Sequence, residues 1–242
     1  MTITHFDTSL QIIEYISTYI SVAQADANLC FNLAISGGKT PLEMFKYWSL
    51  HKTIDYTKSI IYQIDERYIQ NNNKNQLNFE KYSNQFAFKN AFCGENDDMK
   101  TNAQGYWLDN NFVPINVNLD YSGAVVDYNL KIQKISKNTA LDLALLGFGT
   151  DGHFASIFPN NNYNFDDDRF VISTTASNIY PISKRISLTP SAISKAKKII
   201  VTLVGQDKKA VLDELQNGNL NINQFPAKYW LDKKNIEILC CF

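Results

Sequence analysis

Short apolar runs that end at a polar or glycine-containing segment recur along this chain, and most lead into a segment with helical spacing. The clearest runs are LCFNLAI (29–35), SIIYQI (59–64), LDLALL (141–146) and KIIVTLV (198–204). Strands that are apolar throughout are buried on both faces, so the alternation predicts an α/β fold with a mainly parallel sheet and helices on both faces. We expect an amphipathic first helix over 6–24, a second from Pro41 to about Leu50, and a further helix over 207–217.

The composition predicts one globular domain over 1–242. Hydrophobic residues make up 45% and charged residues 19% of the chain, which is enough apolar material to bury a core. No proline- or serine-rich linker divides the sequence. Two asparagine-rich stretches, 71–78 and 160–164, have the composition of exposed loops.

The charge balance and the cysteine pattern argue against several classes of protein. With 23 basic and 24 acidic residues the net charge is -1, so binding of nucleic acid or anionic lipid is not expected. No run reaches the roughly 18 apolar residues of a membrane helix, and the N-terminus lacks a secretory signal. We therefore expect a cytoplasmic protein with no membrane partner. The cysteines form no CxxC pair and no zinc spacing, so no metal is expected.

The segment after the first apolar run, SGGKT (36–40), is a candidate anion site. Its residues are Ser36, Gly37, Gly38, Lys39 and Thr40. Free backbone N–H groups and the positive end of the following helix favour an anion such as phosphate there. A nucleotide P-loop is excluded because its first glycine would fall on Leu33. The segment is therefore either a phosphate loop or a plain turn in which Ser36 caps the helix.

The segment GFGTDGH (147–153) formally matches the GxGxxG dinucleotide motif. Asp151 would then lie where the pyrophosphate binds and would repel it, so this interpretation is weak. A catalytic turn fits better, because Asp151 could orient the imidazole of His153 for proton transfer near neutral pH. A helix-start histidine hydrogen-bonded to Asp151 remains the structural alternative. His5 and His51 have no such neighbours and are expected at the surface.

Other charged residues follow strand ends and are expected in the same crevice. Asp65-Glu66-Arg67 comes directly after SIIYQI and is either a solvated turn or part of a site. In a site, Arg67 would offer a planar fork to an anion, and Asp65 would contact sugar hydroxyls or a reacting proton. Arg185 and Lys208 are two more candidate cations, each of which alone could be a surface charge.

Taken in order, these segments resemble the 6-phosphogluconolactonase family. The matching segments are SGGKTP (36–41), DER (65–67), LGFGTDGHFASIFP (146–159), RISLT (185–189) and GQDK (205–208), with Trp230 to Asp232 near the end. They span nearly the whole chain. The resemblance implies a modified Rossmann-type sheet, shared with glucosamine-6-phosphate deaminases and ribose-5-phosphate isomerases.

The resemblance also implies an activity, the hydrolysis of 6-phospho-D-glucono-1,5-lactone in the oxidative pentose phosphate pathway without metal or cofactor. His153 would be the general base and Asp151 would orient it, while Arg67 or N–H groups of the glycine turn would stabilise the oxyanion. The phosphate would be held by the SGGKT segment, Arg185 and Lys208. Which of Arg67 and Arg185 contacts the phosphate and which contacts the oxyanion is left open. Three glycines are expected to line the site: Gly147, Gly149 and Gly152. The protein is expected to be a monomer or a weak homodimer.

The sequence departs from the family pattern at some positions, and two other functions are alternatives to the lactonase. IYPISK (179–184) replaces a lysine-proline-rich approach, and Asn78 stands nearest to an expected Ser-Asn pair. A glucosamine-6-phosphate deaminase would resemble DGHIAFNEP, whose acidic residue serves ring opening, whereas DGHFASIFP (151–159) has no carboxylate after the histidine. A non-catalytic sugar-phosphate sensor predicts a lost base or an added effector module, and neither is present.

Overall fold

The computed structural model of the protein describes residues 1–25, 30–70, 75–93, 111–138 and 141–242. The strands are β1 (Thr2–His5), β2 (Phe31–Ile35), β3 (Ser59–Gln63), β4 (Asp65–Arg67), β5 (Phe112–Val113), β6 (Leu143–Gly147), β7 (Val171–Thr175), β8 (Lys184–Leu188), β9 (Lys198–Val204) and β10 (Ile236–Cys241). The helices are α1 (Ser9–Ala25), α2 (Lys39–His51), α3 (Gln76–Tyr82), α4 (Asn84–Cys93), α5 (Tyr121–Asn138), α6 (Pro190–Ser194) and α7 (Lys209–Asn217). None of these described helices is long and apolar enough to cross a bilayer.

Seven strands form one sheet in the order β1-β10-β9-β6-β2-β3-β5, and every neighbouring pair is parallel. Successive side chains of each strand enter different apolar clusters: Leu33 and Ile35 face α1, α2 and α4, whereas Ala34 faces the side of α5 and α7. This alternation places helices on both faces. The predicted mainly parallel α/β sheet is confirmed.

A second, antiparallel sheet of three strands, in the order β4-β8-β7, was not predicted. The triplet at 65–67, for which a solvated turn was one interpretation, is strand β4, and Arg67 pairs with Arg185 of β8. The backbone N–H of Ile64 still bonds to Ile35 in the large sheet, while its carbonyl accepts from Leu188. Ile64 is thus the point at which the chain passes from one sheet to the other.

The first predicted helix begins later than expected. Residues 2–5 form the edge strand β1 beside β10, and α1 starts only at Ser9. Leu10 fits the helical spacing of the apolar residues in this segment but is 48% exposed, whereas Ile12, Ile13, Ile16 and Ile20 are buried. A four-residue edge strand leaves too short a pattern to recognise in the sequence.

The two asparagine-rich stretches have different outcomes. Residues 71–74 lie outside the described residues, and from Gln76 the chain forms α3, so the loop predicted to 78 is wrong at that end. The stretch 160–164 is a loop, as predicted. Asn160 and Asn162 have φ values of 62° and 49°, a left-handed conformation that asparagine adopts more readily than most residues.

The side chain of Glu66 in β4 is completely buried and joins three elements. Its oxygens accept hydrogen bonds of 2.7–3.0 Å from the side chains of Gln63 and Ser83 and from the backbone N–H groups of Arg67, Asn84 and Gln85. Burial raises the pKa of this carboxyl, and the hydrogen bonds oppose that shift. The contacts fix the start of α4 against the end of β3 and β4.

Replacing this buried acceptor should destabilise the protein strongly. Glu66→Ala leaves the N–H groups at the start of α4 without their acceptor, so we expect a loss of about 3 kcal/mol in the free energy of unfolding. Urea unfolding followed by circular dichroism measures it. Glu43→Ala on the exposed face of α2 is the matched control, expected to change by less than about 0.5 kcal/mol. Equal midpoints for the two variants would contradict the assigned role of Glu66.

Candidate active site

A cleft of about 570 Å³ lies at the carboxyl ends of β2, β6 and β9 and reaches the second sheet. Most of the residues predicted for the site line it together. They are Ser36, Gly37, Gly38, Lys39, Thr40, Asp65, Arg67, Gly147, Gly149, His153, Arg185 and Lys208. Of the predicted residues, Asp151 and Gly152 do not line the cleft.

Glycines shape the segment 147–153, which we call the DGH turn. The N–H of Gly149 donates to the carbonyl of His153 at 2.7 Å, which closes the turn. A Cβ on Gly149 would overlap the imidazole of His153, and one on Gly152 would overlap the ring of Phe225. Gly152 also has a φ of 77°. Gly152 was predicted to bind substrate. It packs against Phe225 and does not line the cleft, so its contribution is to the shape of the turn.

Asp151 holds the imidazole of His153 in one orientation. Its Oδ1 lies 2.5 Å from Nδ1 of His153 and also accepts the backbone N–H of His153 at 3.1 Å. Burial alone would raise the pKa of Asp151, but the hydrogen bonds and charge of His153 outweigh burial and lower the pKa. A charged Asp151 accepts the Nδ1 proton, so Nε2 is the basic nitrogen of the neutral ring.

The basic nitrogen of His153 is available to a ligand. Among the described residues no side chain or backbone group forms a hydrogen bond with Nε2, and His153 lines the cleft. The ring packs beside Phe158, with centroids 4.9 Å apart. The arrangement can therefore take a proton from a bound molecule, and the negative charge of Asp151 stabilises the imidazolium that forms.

Asp65 has a clear structural contact. Its side chain is buried, and Oδ2 accepts a 2.7 Å hydrogen bond from the hydroxyl of Ser156, three residues beyond His153. Asp65 therefore ties the segment after the DGH turn to β4, and it also lines the cleft. The predicted contact with sugar hydroxyls or a reacting proton stays a prediction.

The SGGKT loop (36–40) presents unused hydrogen-bond donors. α2 begins at Lys39 with Gly38 as its N-cap, and no side chain caps it, so the predicted alternative with Ser36 as the cap is wrong. The first N–H groups of a helix have no partner within it. The Ser36 hydroxyl is buried and forms no hydrogen bond in the described part of the chain. These donors and the positive helix end favour an anion.

Asn84 is a cleft residue that the sequence analysis missed. Its side-chain amide donates to the carbonyl of Asp65 at 3.0 Å and lies so close to Gly37 that a Cβ there would overlap it. The preceding Ser83 donates to Glu66. Ser83 and Asn84 thus form a Ser-Asn pair beside the cleft, whereas Asn78 is exposed on α3. A Ser-Asn pair at the start of a phenylalanine-rich helix is the signal that could have found it.

Two arginines of neighbouring strands face the cleft in different surroundings. Arg185 is 5% exposed, donates from Nε to the carbonyl of Ile182, and lies over the rings of Phe158 and Tyr180 at 5.6 and 5.8 Å. Burial and the nearby charge of Arg67 lower its pKa. Arg67 donates from Nη1 to the carbonyl of Tyr82 at 2.6 Å, and its Nε is buried without a partner among the described residues.

Lys208 also brings a positive charge to the cleft. It ends a short 3-10 turn after Gly205, whose φ is 104°, and its Nζ donates to the carbonyl of Phe148 at 2.8 Å. Asp207 lies 3.8 Å away and is 64% exposed, so it neutralises Lys208 only weakly. In the described part of the chain, no cluster of histidine, cysteine or acidic side chains is arranged to hold a metal ion.

The fold and the order of these segments match a known family. A family model described as "Glucosamine-6-phosphate isomerases/6-phosphogluconolactonase" covers residues 6–239. The chain belongs to this family. The membership confirms the resemblance drawn from the SGGKT, DER and DGH segments, and it covers two different activities.

Similar proteins come from distant organisms. A "Probable 6-phosphogluconolactonase" of Dictyostelium discoideum is 26% identical over 230 residues, which is 94% of this chain and 91% of that protein. A "6-phosphogluconolactonase" of Borreliella burgdorferi is 26% identical over 215 residues, 86% of this chain and 82% of that protein. The structure of a 6-phosphogluconolactonase from Plasmodium vivax superposes with a TM-score of 0.80 at 26% identity, covering 99% of this chain and 90% of that one. The similarity confirms the modified Rossmann-type fold.

Gly147 and Gly152 of the DGH turn should differ in how well they tolerate replacement by alanine. Gly152→Ala adds a Cβ at a positive φ and against Phe225, so we expect a loss of about 2–3 kcal/mol in the free energy of unfolding. Gly147→Ala is the control, because its Cβ would lie 3.9 Å from the nearest atom. We expect it to cost less than about 1 kcal/mol. Thermal unfolding of both variants tests this, and a Gly152→Ala protein as stable as Gly147→Ala would contradict it.

Proposed function

We propose that this chain hydrolyses 6-phospho-D-glucono-1,5-lactone to 6-phospho-D-gluconate, a step of the oxidative pentose phosphate pathway. The observation that carries the proposal is His153, whose Nδ1 is held by Asp151 while Nε2 is available in a cleft that also contains anion-binding groups. The relatives and the solved structure named 6-phosphogluconolactonase support the same activity.

The first step is attack of water on the lactone carbonyl. Nε2 of His153 accepts a proton from the water as its oxygen bonds to C1, and Asp151 stabilises the imidazolium that forms. The carbonyl oxygen becomes an oxyanion. Arg185 packs with Phe158 beside His153, so we assign Arg185 to this charge. The N–H groups of Gly149, Gly152 and His153 already have acceptors within the DGH turn.

The second step opens the ring. The tetrahedral intermediate collapses, the bond from C1 to the ring oxygen breaks, and the imidazolium of His153 returns its proton to that oxygen. The product is a carboxylic acid, which ionises at neutral pH, and a free hydroxyl. The step uses groups of this chain alone, and the proposal invokes no metal or cofactor.

The phosphate of the substrate is assigned to the other side of the cleft. The SGGKT loop supplies free N–H groups and the Ser36 hydroxyl, and Arg67 and Lys208 supply positive charge. Arg67 also lines a smaller pocket of about 230 Å³ together with the loop, whereas Arg185 does not. On this basis we assign Arg67 to the phosphate and Arg185 to the reacting carbonyl.

A deaminase activity is disfavoured by one residue. In the deaminase-like pattern DGHIAFNEP the acidic residue falls at the position of Phe158 in this chain. Phe158 lines the cleft and packs against His153 and Arg185. No carboxylate is therefore present where ring opening of an amino sugar phosphate would need it.

The proposal includes a single domain, a monomer or weak homodimer and a cytoplasmic location. The two apolar clusters lie on opposite faces of one sheet, which supports a single folding unit. The assembly and the location stay predictions of the sequence.

Removal of the base should abolish most of the activity. We expect His153→Ala to lower kcat by about 10²- to 10⁴-fold, the usual contribution of a general base. The assay follows 6-phosphogluconate release from freshly made lactone through a coupled dehydrogenase, with spontaneous hydrolysis subtracted. His51→Ala, on the exposed end of α2, is the control and should keep the wild-type rate. A folded His153→Ala protein with wild-type turnover would overturn the assigned base, and a wild-type protein no faster than spontaneous hydrolysis would overturn the function.

The contribution of Lys208 should depend on the phosphate of the substrate. We expect Lys208→Ala to raise KM for the phosphorylated lactone about tenfold, since it removes a charge that binds the phosphate. With unphosphorylated D-glucono-1,5-lactone the same substitution should change kcat/KM by less than about twofold. Lys209→Ala, the exposed neighbouring lysine, should leave both substrates unaffected. Equal losses on both lactones would place Lys208 away from the phosphate.

A further inference from the structure

Tyr180 lies on the loop between β7 and β8, in the segment that departs from the family pattern. The loop is closed by hydrogen bonds from Ala176 to Ser183 and from Tyr180 to Ser177. The side chain of Tyr180 is half-buried and lines the cleft beside His153. Neither the sequence pattern nor the proposed mechanism assigns it a task.

The hydroxyl of Tyr180 meets the oxygen of Asp151 that His153 does not use. It donates to Oδ2 of Asp151 at 3.2 Å and lies 3.3 Å from Nδ1 of His153. The Nδ1 proton already has a closer acceptor, Oδ1 of Asp151. The phenol therefore donates to the carboxylate, and each carboxylate oxygen has its own donor.

The ring of Tyr180 fixes the same group from the side. It stands edge-on to the imidazole of His153, with centroids 5.7 Å apart at 83°, and packs on Phe158 at 5.2 Å. Two residues further on, the carbonyl of Ile182 accepts from Nε of Arg185. One short segment thus contacts both the Asp151–His153 pair and the arginine assigned to the carbonyl oxygen.

The hydroxyl of Tyr180 is protonated at neutral pH. Burial and the neighbouring charge of Asp151 raise the pKa of Tyr180 to about 12. The phenol is therefore protonated, and a donor to Asp151, at neutral pH. A donor to Oδ2 spreads the negative charge of Asp151 and limits rotation of its carboxylate.

We propose that Tyr180 is a positioning residue for lactone hydrolysis. It holds Asp151 so that His153 presents Nε2 to the water, and it sets how basic the Asp151–His153 pair is. The inference rests on the proposed function. Tyr180 contacts the base through Asp151, so it acts on the rate and its pH dependence more than on substrate binding.

The test is Tyr180→Phe, which keeps the ring and removes the hydroxyl. Without its donor, Asp151 carries more charge on the oxygens beside His153 and stabilises the imidazolium more strongly. The acid limb of the profile of kcat/KM against pH should therefore move to higher pH by about half a unit or more. We expect kcat at neutral pH to fall roughly tenfold, with KM changed by less than about twofold.

The matched control is Tyr15→Phe. It removes another hydrogen bond from a tyrosine to a carboxylate, that of Tyr15 to Glu237 at 3.1 Å, on α1 and away from the cleft. This variant should keep the wild-type profile. An acid limb of Tyr180→Phe that coincides with wild type overturns the proposal even where kcat falls, because a general loss of structure lowers the rate at every pH alike. The wild-type rate and His153→Ala, measured in the same series, report separately on the proposed function.

Discussion

The carboxylate of Glu66 is fully buried. Its oxygens accept hydrogen bonds from donors at the end of β3, in β4 and at the start of α4. A buried carboxylate without such donors would be costly, so the three elements must meet in one arrangement. Arg67 and Asn84, which both donate a backbone N–H to Glu66, line the cleft with their side chains. The geometry of this side of the site thus follows from a residue that never faces the ligand.

The small antiparallel sheet extends this frame to the reacting groups. Asp65 of β4 accepts a hydrogen bond from the hydroxyl of Ser156 and so fixes the segment after His153. The loop from β7 to β8 brings Tyr180 to Asp151. The large parallel sheet supplies strand ends and free N–H groups, as such sheets commonly do. The small sheet orients the base. The two sheets join at Ile64, so the charged triplet that follows it belongs to both the fold and the site.

The strands of the large sheet were predictable where both faces are buried, since β2, β3, β6 and β9 are mostly apolar and are buried along most of their length. The DGH turn and the SGGKT loop were predictable because glycine positions and chemistry are local. β4 was not, because three charged residues become a strand only when β8 pairs with them. Tyr180 was missed for the same reason: it is separated by many residues from Asp151 and His153, and no local pattern records those contacts.

Shared architecture does not select between the two activities of this family, because hydrolysis of a lactone and deamination of an amino sugar phosphate can both use a phosphate loop and a DGH turn. The choice falls to side chains beside the base. Phe158 fills the space next to His153 with an apolar ring and lies under the guanidinium of Arg185. An apolar wall there offers no second acid, and a buried cation near the imidazole favours a developing oxyanion. These two features suit attack of water on a carbonyl, and one residue, Phe158, contributes to both.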